Sequence, residues 1–389
     1  MEQLLTHRVN PSNNKGTWYE QDTIDYVLDF DNRALIGNTV RFEAKIQVYT
    51  NISTPTRSVN TAGIYLDPLV GGHSVIQNIN TSTAQSGLLE NLSEYNRLVK
   101  MRTVARKTHD DVMNAADVCE LKSPHYNIGT AMTCQKSIKM LGGGGAGKDA
   151  LATDAAGTLV DPDFSIKLNF CLNQVGDGTT NPNIRISYTQ TGSIRISLIL
   201  ERFTSVLNGR FVTNDAGYTL TEPVIKFMSA PDQASQKISM RSSLCLKSQI
   251  ASNFNNVSSN VPAVCDSMSI SFIKQDQEQT VTYNNLQLMR PPNVQEISYL
   301  FNDAENKFIS FQIKDDIEMI ARGLESLRSR KSTALNVASI SGDKTYLLGL
   351  NWGQMLDLSK QKFNVQLKTN IGAGTPYSMF QFFHSVISI

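Results

Sequence analysis

The chain has 389 residues, 40% hydrophobic and only 18% charged, with Asn, Ser, Thr and Gln filling much of the remainder. That is enough for two folded cores, and it excludes a disordered or coiled-coil chain. The 36 basic and 35 acidic residues leave a net charge of +1, so no global field gathers phosphates and sequence-specific nucleic-acid binding is not expected.

The opening segment, MEQLLTHRVNPSNN, is too polar for a signal peptide, and its His7, Arg8 and Lys15 do not form a basic block. Residues 1–20 therefore read as a flexible, mildly basic arm. Period-two alternation begins with Ile24, Tyr26, Leu28 and Phe30, and is clearest in residues 40–48. There Val40, Phe42, Ala44, Ile46 and Val48 share one face and Arg41, Glu43, Lys45 and Gln47 the other. Tyr65-Leu66-Asp67-Pro68, followed by Gly71-Gly72, reads as a strand end and tight turn. Leu88, Leu92, Tyr95 and Val99 recur at spacings of four, three and four, which predicts a helix over 84–101, with Thr81, Ser82 and Thr83 as N-cap candidates and Gln85 three residues after Ser82. Residues 141–163, rich in Gly and Ala, read as a long surface loop.

Strand patterns return with Phe164, Ile166, Leu168, Phe170 and Leu172, and with Ile194, Ile196, Leu198 and Leu200. The polar stretch LNGRFVTNDAGY, residues 207–218, lies between strand patterns and predicts a division into 21–210 and 211–389. Beyond it come Ile238 and Met240, Leu244 and Leu246, then Met268, Ile270 and Phe272, then Ile309, Phe311 and Ile313, and Phe363, Val365 and Leu367. The aromatic run around Phe380, Phe382 and Phe383 closes the chain as a core strand. A second helix over 315–328 starts on Asp315 and Asp316 and ends in Arg328, Arg330 and Lys331, as the helix dipole favours; its stripe is Ile317, Ile320, Ala321, Leu324 and Leu327. Roughly fourteen strand candidates exceed one eight-stranded sandwich. The fold class is all-β: two tandem sandwiches with short α-helices in connecting loops. No sequence repeat accompanies the two halves.

Chemistry is sparse. Gly142-Gly143-Gly144-Gly145-Ala146-Gly147-Lys148-Asp149 nearly spells a phosphate-binding loop, but Asp149 stands where a hydroxyl must bind magnesium, and no strand-loop-helix context surrounds it. His7, His73, His109, His125 and His384 show no metal-ligand spacing, and His109-Asp110-Asp111 reads as a solvated loop. Asp25 and Asp29 share a strand face without a third partner. No nucleophile elbow is present. Cys119, Cys134, Cys171, Cys245 and Cys265 are odd in number and widely spaced, which fits reduced thiols and assembly in a reducing cytosol or nucleus. The sequons at Asn51, Asn80, Asn91 and Asn256 are expected by chance in an Asn-rich chain, and no apolar run approaches about 18 residues. No catalytic, cofactor or metal residue is assigned, and no enzyme activity is expected.

One segment resembles a family. LLENLSEYNRLVKM, residues 88–101, follows IYLDPLVGGHSVIQNI, residues 64–79, and looks like the (I/L)E-(D/N)-(I/L)-x-(D/E)-Y-N-x-L helix found after an early strand in double jelly-roll major capsid proteins of the PRD1 and adenovirus lineage, in particular those of polinton-like viruses and virophages. TWYEQDTIDYVLDF and VRFEAKIQVY are similar to that family's opening strands, and residues 164–203, ending LILERF, to the closing strands of its first jelly roll. The resemblance implies that the two sandwiches are tandem eight-stranded jelly-roll β-sandwiches, in a virion capsid subunit that forms a homotrimer, a pseudo-hexagonal tile contacting neighbouring capsomers, penton and minor capsid proteins, and an internal membrane where one lies beneath. A penton or minor capsid protein with one jelly roll, and a β-sandwich adhesin that binds glycans, are the alternatives.

Overall fold

The structure is a computed structural model that describes residues 3–54, 56–57, 66–67, 69–106, 119–122, 163–176, 183–208, 212–232, 237–261, 263–301, 310–327, 346–360, 362–372 and 374–389. The Gly-rich segment 142–149, together with Tyr65, Pro68, His109, His125, Cys134 and Ile309, lies outside the described residues.

The first half contributes β1 (Leu5–Val9), β2 (Thr17–Tyr19), β3 (Thr23–Leu28), β4 (Arg33–Ile36), β5 (Arg41–Asn51), β6 (Thr56–Arg57), β7 (Ile76–Thr83), β8 (Gly87–Leu92), β9 (Asp163–Lys167), β10 (Arg185–Ser187), β11 (Ile194–Leu200) and β12 (Gly217–Pro231). The second contributes β13 (Ser239–Ile250), β14 (Phe254–Ser259), β15 (Val264–Lys274), β16 (Glu296–Phe301), β17 (Ser310–Ile313), β18 (Leu348–Asp357), β19 (Phe363–Lys368) and β20 (Tyr377–Ser388). Two helices of three turns each, α1 (Tyr95–Arg106) and α2 (Asp316–Leu327), follow β8 and β17.

The second sandwich pairs its strands as β13-β20-β15-β18 and β14-β19-β16-β17. In ordinals, that is first-eighth-third-sixth facing second-seventh-fourth-fifth. The first sandwich has the same plan once β1 and β2 count as one broken first strand and β4, β6 and β10 are set aside as additions. Its sheets then run β1/β2-β12-β5-β9 and β3-β11-β7-β8. Each sandwich is a jelly roll, and in each the helix follows the fifth strand. The duplication is topological, in keeping with the absence of a sequence repeat.

Alternation dictates which side chains fill the cores. In β5, Phe42, Ala44, Ile46 and Val48 are buried, while Arg41, Glu43, Lys45 and Gln47 lie on the opposite face and remain partly exposed. The inward residues of β11, Ile194, Ile196, Leu198 and Leu200, meet Ile24, Tyr26 and Leu28 of β3 in the same core.

Several expectations are corrected. Of the expected flexible arm 1–20, the described residues 3–20 are built into the sheet: β1 and β2 pair antiparallel with β12, His7 stacks on Phe227 with ring centroids 4.6 Å apart, and Trp18 is fully buried. The division at 210/211 falls too early, because β12 hydrogen-bonds to β5, β4, β2 and β1 of the first sandwich, so the passage between sandwiches lies between Pro231 and Ser239. Residues 84–92 are not helical. β7 turns into β8 at Gly87, whose φ of +73° suits a residue without Cβ. Leu89 is a bulge between the pairs Thr81↔Glu90 and Ser82↔Leu88. The helix starts only at Tyr95, so cross-strand pairing overrides the helical spacing of Leu88 and Leu92.

The second helix forms where expected, its first turn capped by Asp315, which accepts the Glu318 N–H at 2.9 Å. Its buried arc is rotated from the expected stripe: Met319, Ile320, Gly323, Leu324 and Leu327 face inward, and Ile317 is 65% exposed. Two glycines explain the rotation. A Cβ on Gly323 would lie 2.8 Å from the Leu347 carbonyl oxygen, and one on Gly349 of β18 would lie 2.5 Å from both the Met268 carbonyl oxygen and Ser326 Oγ. The helix backbone sits directly on the sheet at these points. Gly349→Ala is expected to lower unfolding stability by about 1–3 kcal/mol through overpacking, read as a reduced urea midpoint with unchanged slope.

Candidate functional site

An open depression lined by Arg8, Glu43, Lys45, Cys119, Asp163 and Glu222 has its charges engaged in the pairs Lys45–Glu222 and Lys226–Glu43, at 2.9 and 2.6 Å, and among the described residues no group of three His, Cys, Asp or Glu side chains could hold a metal ion. The most heavily constructed site is the seam between the two sandwiches. It is built largely from residues 88–101, the stretch whose pattern stood out in the sequence.

β8 packs against β13, and α1 touches α2. Glu90, on β8, is fully buried and joins the two halves: Oε2 accepts the Cys171 N–H at 2.7 Å, and Oε1 accepts the Ser243 N–H of β13 at 2.9 Å. Burial pushes its carboxyl up, opposed by those two donors and by the nearby Arg102. Arg102 donates to the Asn169 carbonyl at 3.2 Å and to Ser243 Oγ at 3.1 Å. Burial lowers its guanidinium to about 10, so it stays charged at neutral pH.

One turn earlier, Arg97 reaches into the second sandwich. It donates to the carbonyls of Asn285 at 2.7 Å and Gln287 at 3.3 Å, and its guanidinium lies 4.1 Å from the centre of the Phe380 ring. Lys100 and Asp67 are both 0% exposed and form an ion pair at 2.6 Å; Asn284, from the second sandwich, donates to the same Asp67 oxygen at 2.6 Å. Asp67 also accepts the Leu69 N–H at 2.9 Å, so the turn read from Leu66-Asp67 doubles as an anchor across the seam. Tyr95 hydrogen-bonds His73 at 2.7 Å and accepts the Asn169 N–H at 3.0 Å. Behind His73, Glu120 pairs with Lys122 at 2.8 Å, and despite burial the Lys122 ammonium and the contact with His73 hold the Glu120 carboxyl well below its usual range.

The aromatic C-terminal strand is explained by the same seam. On β20, Met379, Gln381 and Phe383 face the core of their own sandwich: Gln381 accepts from Ser259 Oγ of β14, and Phe383 packs edge-on against Phe363 of β19. The alternate residues Phe380, Phe382 and His384 point the other way, yet they too are buried, because the first sandwich covers them. Expectation and structure agree that this is a core strand; it serves two cores.

His384 lies between Ser243 Oγ and Ser269 Oγ, each at 2.9 Å. A Ser-His contact performs acyl transfer only where a substrate carbonyl can reach the serine, and here all three residues are buried. The arrangement is structural. Cys171, Cys245 and Cys265 are free and buried, with burial pushing their thiols up and away from reactivity; Cys119 is exposed. Asp25 accepts from Ser197 at 2.5 Å and from Asn13 at 3.2 Å, while Asp29 is exposed.

No protein-family model matches the sequence, and no curated protein matches it. Solved structures do. The PBCV-1 protein VP54, whose crystal structure was fitted into a cryo-EM reconstruction of the virophage Sputnik, superposes with a TM-score of 0.59 over 100% of this chain and 95% of that one, at 8% identity. The Faustovirus major capsid protein gives 0.59 over 100% and 90% at 8% identity, and the mavirus major capsid protein gives 0.52 over 99% and 90% at 10% identity. The chain has the double jelly-roll fold of these capsid proteins along its whole length.

Two predictions come from the seam. Lys100→Met leaves Asp67 buried beside a lost partner and is expected to cost about 3–5 kcal/mol, while adding Asp67→Asn recovers part of that loss; urea unfolding of the single and double variants reads both. Glu201, whose carboxylate accepts from Asn96 Nδ2 at 2.8 Å, is pushed up to about 7 by burial and by the neighbouring Glu94. The folded state then holds a proton that the unfolded chain has released, so this contribution is complete in acid and is lost as pH rises from the ordinary carboxyl range through about 7. The loss is on the order of 3 kcal/mol. Urea midpoints at pH 5 and pH 8 should differ less in Glu201→Gln than in the wild type.

Proposed function

We propose that this chain is a structural major capsid protein, a homotrimer whose six jelly rolls form a pseudo-hexagonal tile of an icosahedral virion, with no catalytic role. The observation that carries the reading is the seam. Two sandwiches of identical strand order are held side by side by hydrogen bonds from the buried charged groups Glu90, Arg97, Arg102 and Asp67 and by a strand buried on both faces, in a chain whose fold matches major capsid proteins from end to end. A tile needs rigid blocks of fixed relative orientation, and a buried, hydrogen-bonded polar seam provides that.

The near balance of charge supports close packing of many copies without long-range repulsion. Neighbouring tiles and the proteins that close the vertices are the partners this role requires. Among the described cysteines, Cys119, Cys171, Cys245 and Cys265 are free thiols, which suits assembly in a reducing compartment. A vertex protein with a single jelly roll is the weaker reading, because the second sandwich repeats the strand order of the first rather than adding an unrelated β domain.

Light scattering on the purified full chain tests the proposal. Three copies per particle are expected, with arrays or shells on concentration; a monomer at every concentration would overturn it.

A further inference from the structure

β1 is lightly held. Among the described residues it pairs on one side only, with Ile225–Ser229 of β12; Leu5, Thr6 and Arg8 are exposed, and His7 and Val9 are half-buried. A short edge strand of this kind opens locally at low free energy. From Ser12 onward the chain is anchored independently. The Ser12 N–H donates to the Asp25 carbonyl at 2.7 Å, Asn13 Nδ2 donates to the Thr23 carbonyl at 2.8 Å, and Trp18 is buried. Opening of β1 is therefore bounded: residues 3–9 can leave β12 while the chain beyond Pro11 stays in place.

The side-chain contact that docks β1 depends on a proton. Ser229 of β12 is fully buried, and its hydroxyl has two partners, Arg33 Nε and His7 Nε2, each at 2.7 Å. A guanidinium can only donate, so the hydroxyl proton goes to His7 Nε2, which must then be an unprotonated acceptor. The ring carries its proton on Nδ1 and lies flat on Phe227, the two planes 8° from parallel. The charged group facing His7 is Arg33 of β4, whose Nη2 also donates to the Gln3 carbonyl at 2.7 Å and to the Ser229 carbonyl at 3.2 Å. β12 presents Ile225, Phe227 and Ser229 on that face, while its Lys226 pairs with Glu43 on the other. Asp25 of β3 is engaged by Ser197 and Asn13. Burial and the Arg33 charge both push the His7 imidazole below its ordinary value.

We infer that His7 is an acid-sensitive latch: neutral, it holds β1 on β12, and protonation releases residues 3–9 while β2 and the rest of the sheet stay in place. Once protonated, Nε2 brings a second N–H to a hydroxyl that already takes one from Arg33. The hydroxyl proton loses its acceptor, and a second cation stands beside the guanidinium. The sign follows from the lowered value in the docked strand: docking is fully supported above the ordinary histidine value of 6.5 and is lost as pH falls through the lower value of the folded protein. Release leaves the β12 edge unpaired over Ile225–Ser229, open to another extended strand. The latch stands independently of the capsid reading.

Hydrogen exchange on the full chain at pH 8 and pH 5, corrected for the intrinsic exchange rate, tests the latch. In the wild type the protection of residues 5–9 should fall by roughly fivefold in acid, while β3, Thr23–Leu28, keeps its protection. His7→Phe retains a ring that stacks on Phe227 but cannot titrate, so its residues 5–9 should be equally protected at both pH values. Nitrogen NMR shifts of the wild-type His7 ring at pH 8 should report the proton on Nδ1, a reading that needs no variant to fold. Equal protection of wild-type residues 5–9 at both pH values overturns the inference. So does an acid loss that persists in His7→Phe, one that β3 shares in equal measure, or a ring proton found on Nε2.

Discussion

Everything in this molecule depends on burying β20 from both sides. A strand in an ordinary two-layer sandwich shows polar side chains to water on its outer face, but here the outer positions carry Phe380, Phe382 and His384, all buried. The second sandwich is therefore incomplete without the first. Apolar area alone would leave the angle between the two blocks loosely fixed, because hydrophobic burial is non-directional. Direction comes from the groups that cannot be buried without partners. Glu90 has two backbone donors, one from each half, and Lys100 has Asp67, which in turn takes a hydrogen bond from Asn284. Each partner set is satisfied in one relative placement, and any slip strands a charge at a cost of several kcal/mol.

The two helices divide the work by composition. α2 lies on its own sandwich with an apolar arc and two glycine contacts, so it needs only to be close. α1 sits between sandwiches and buries Asn96, Arg97, Lys100, Arg102 and Thr103 together with Leu98, Val99 and Met101. Its weak amphipathic pattern follows from having no solvent face, since every direction from its axis meets protein. The same topological position after the fifth strand has thus become a fastener in one half and a cover in the other.

The sequence disclosed what is local. Period-two alternation in β5 and β11 located strands and their inward faces, because a strand's pattern is written in consecutive residues. β8 misled, since Leu88, Leu92, Tyr95 and Val99 happen to fall at helical spacing, and a bulge at Leu89 turns Leu88 outward to 66% exposure while Leu92 stays buried. β12 was cut from its sandwich because the polar stretch 207–218 precedes it and looks like a linker, while its own pattern is interrupted at Glu222 and Pro223, where the strand bulges and the register with β5 shifts. β1 had a usable signal in the alternation of Leu5, His7 and Val9, hidden by the polar residues around it. The seam was visible only as a motif without a role. Lys100 and Asp67 lie 33 positions apart, and Asp67 and Asn284 lie 217 apart, so no window of sequence contains the set. The short strands β2, β4, β6 and β10 have two to four residues, too few for any period to register.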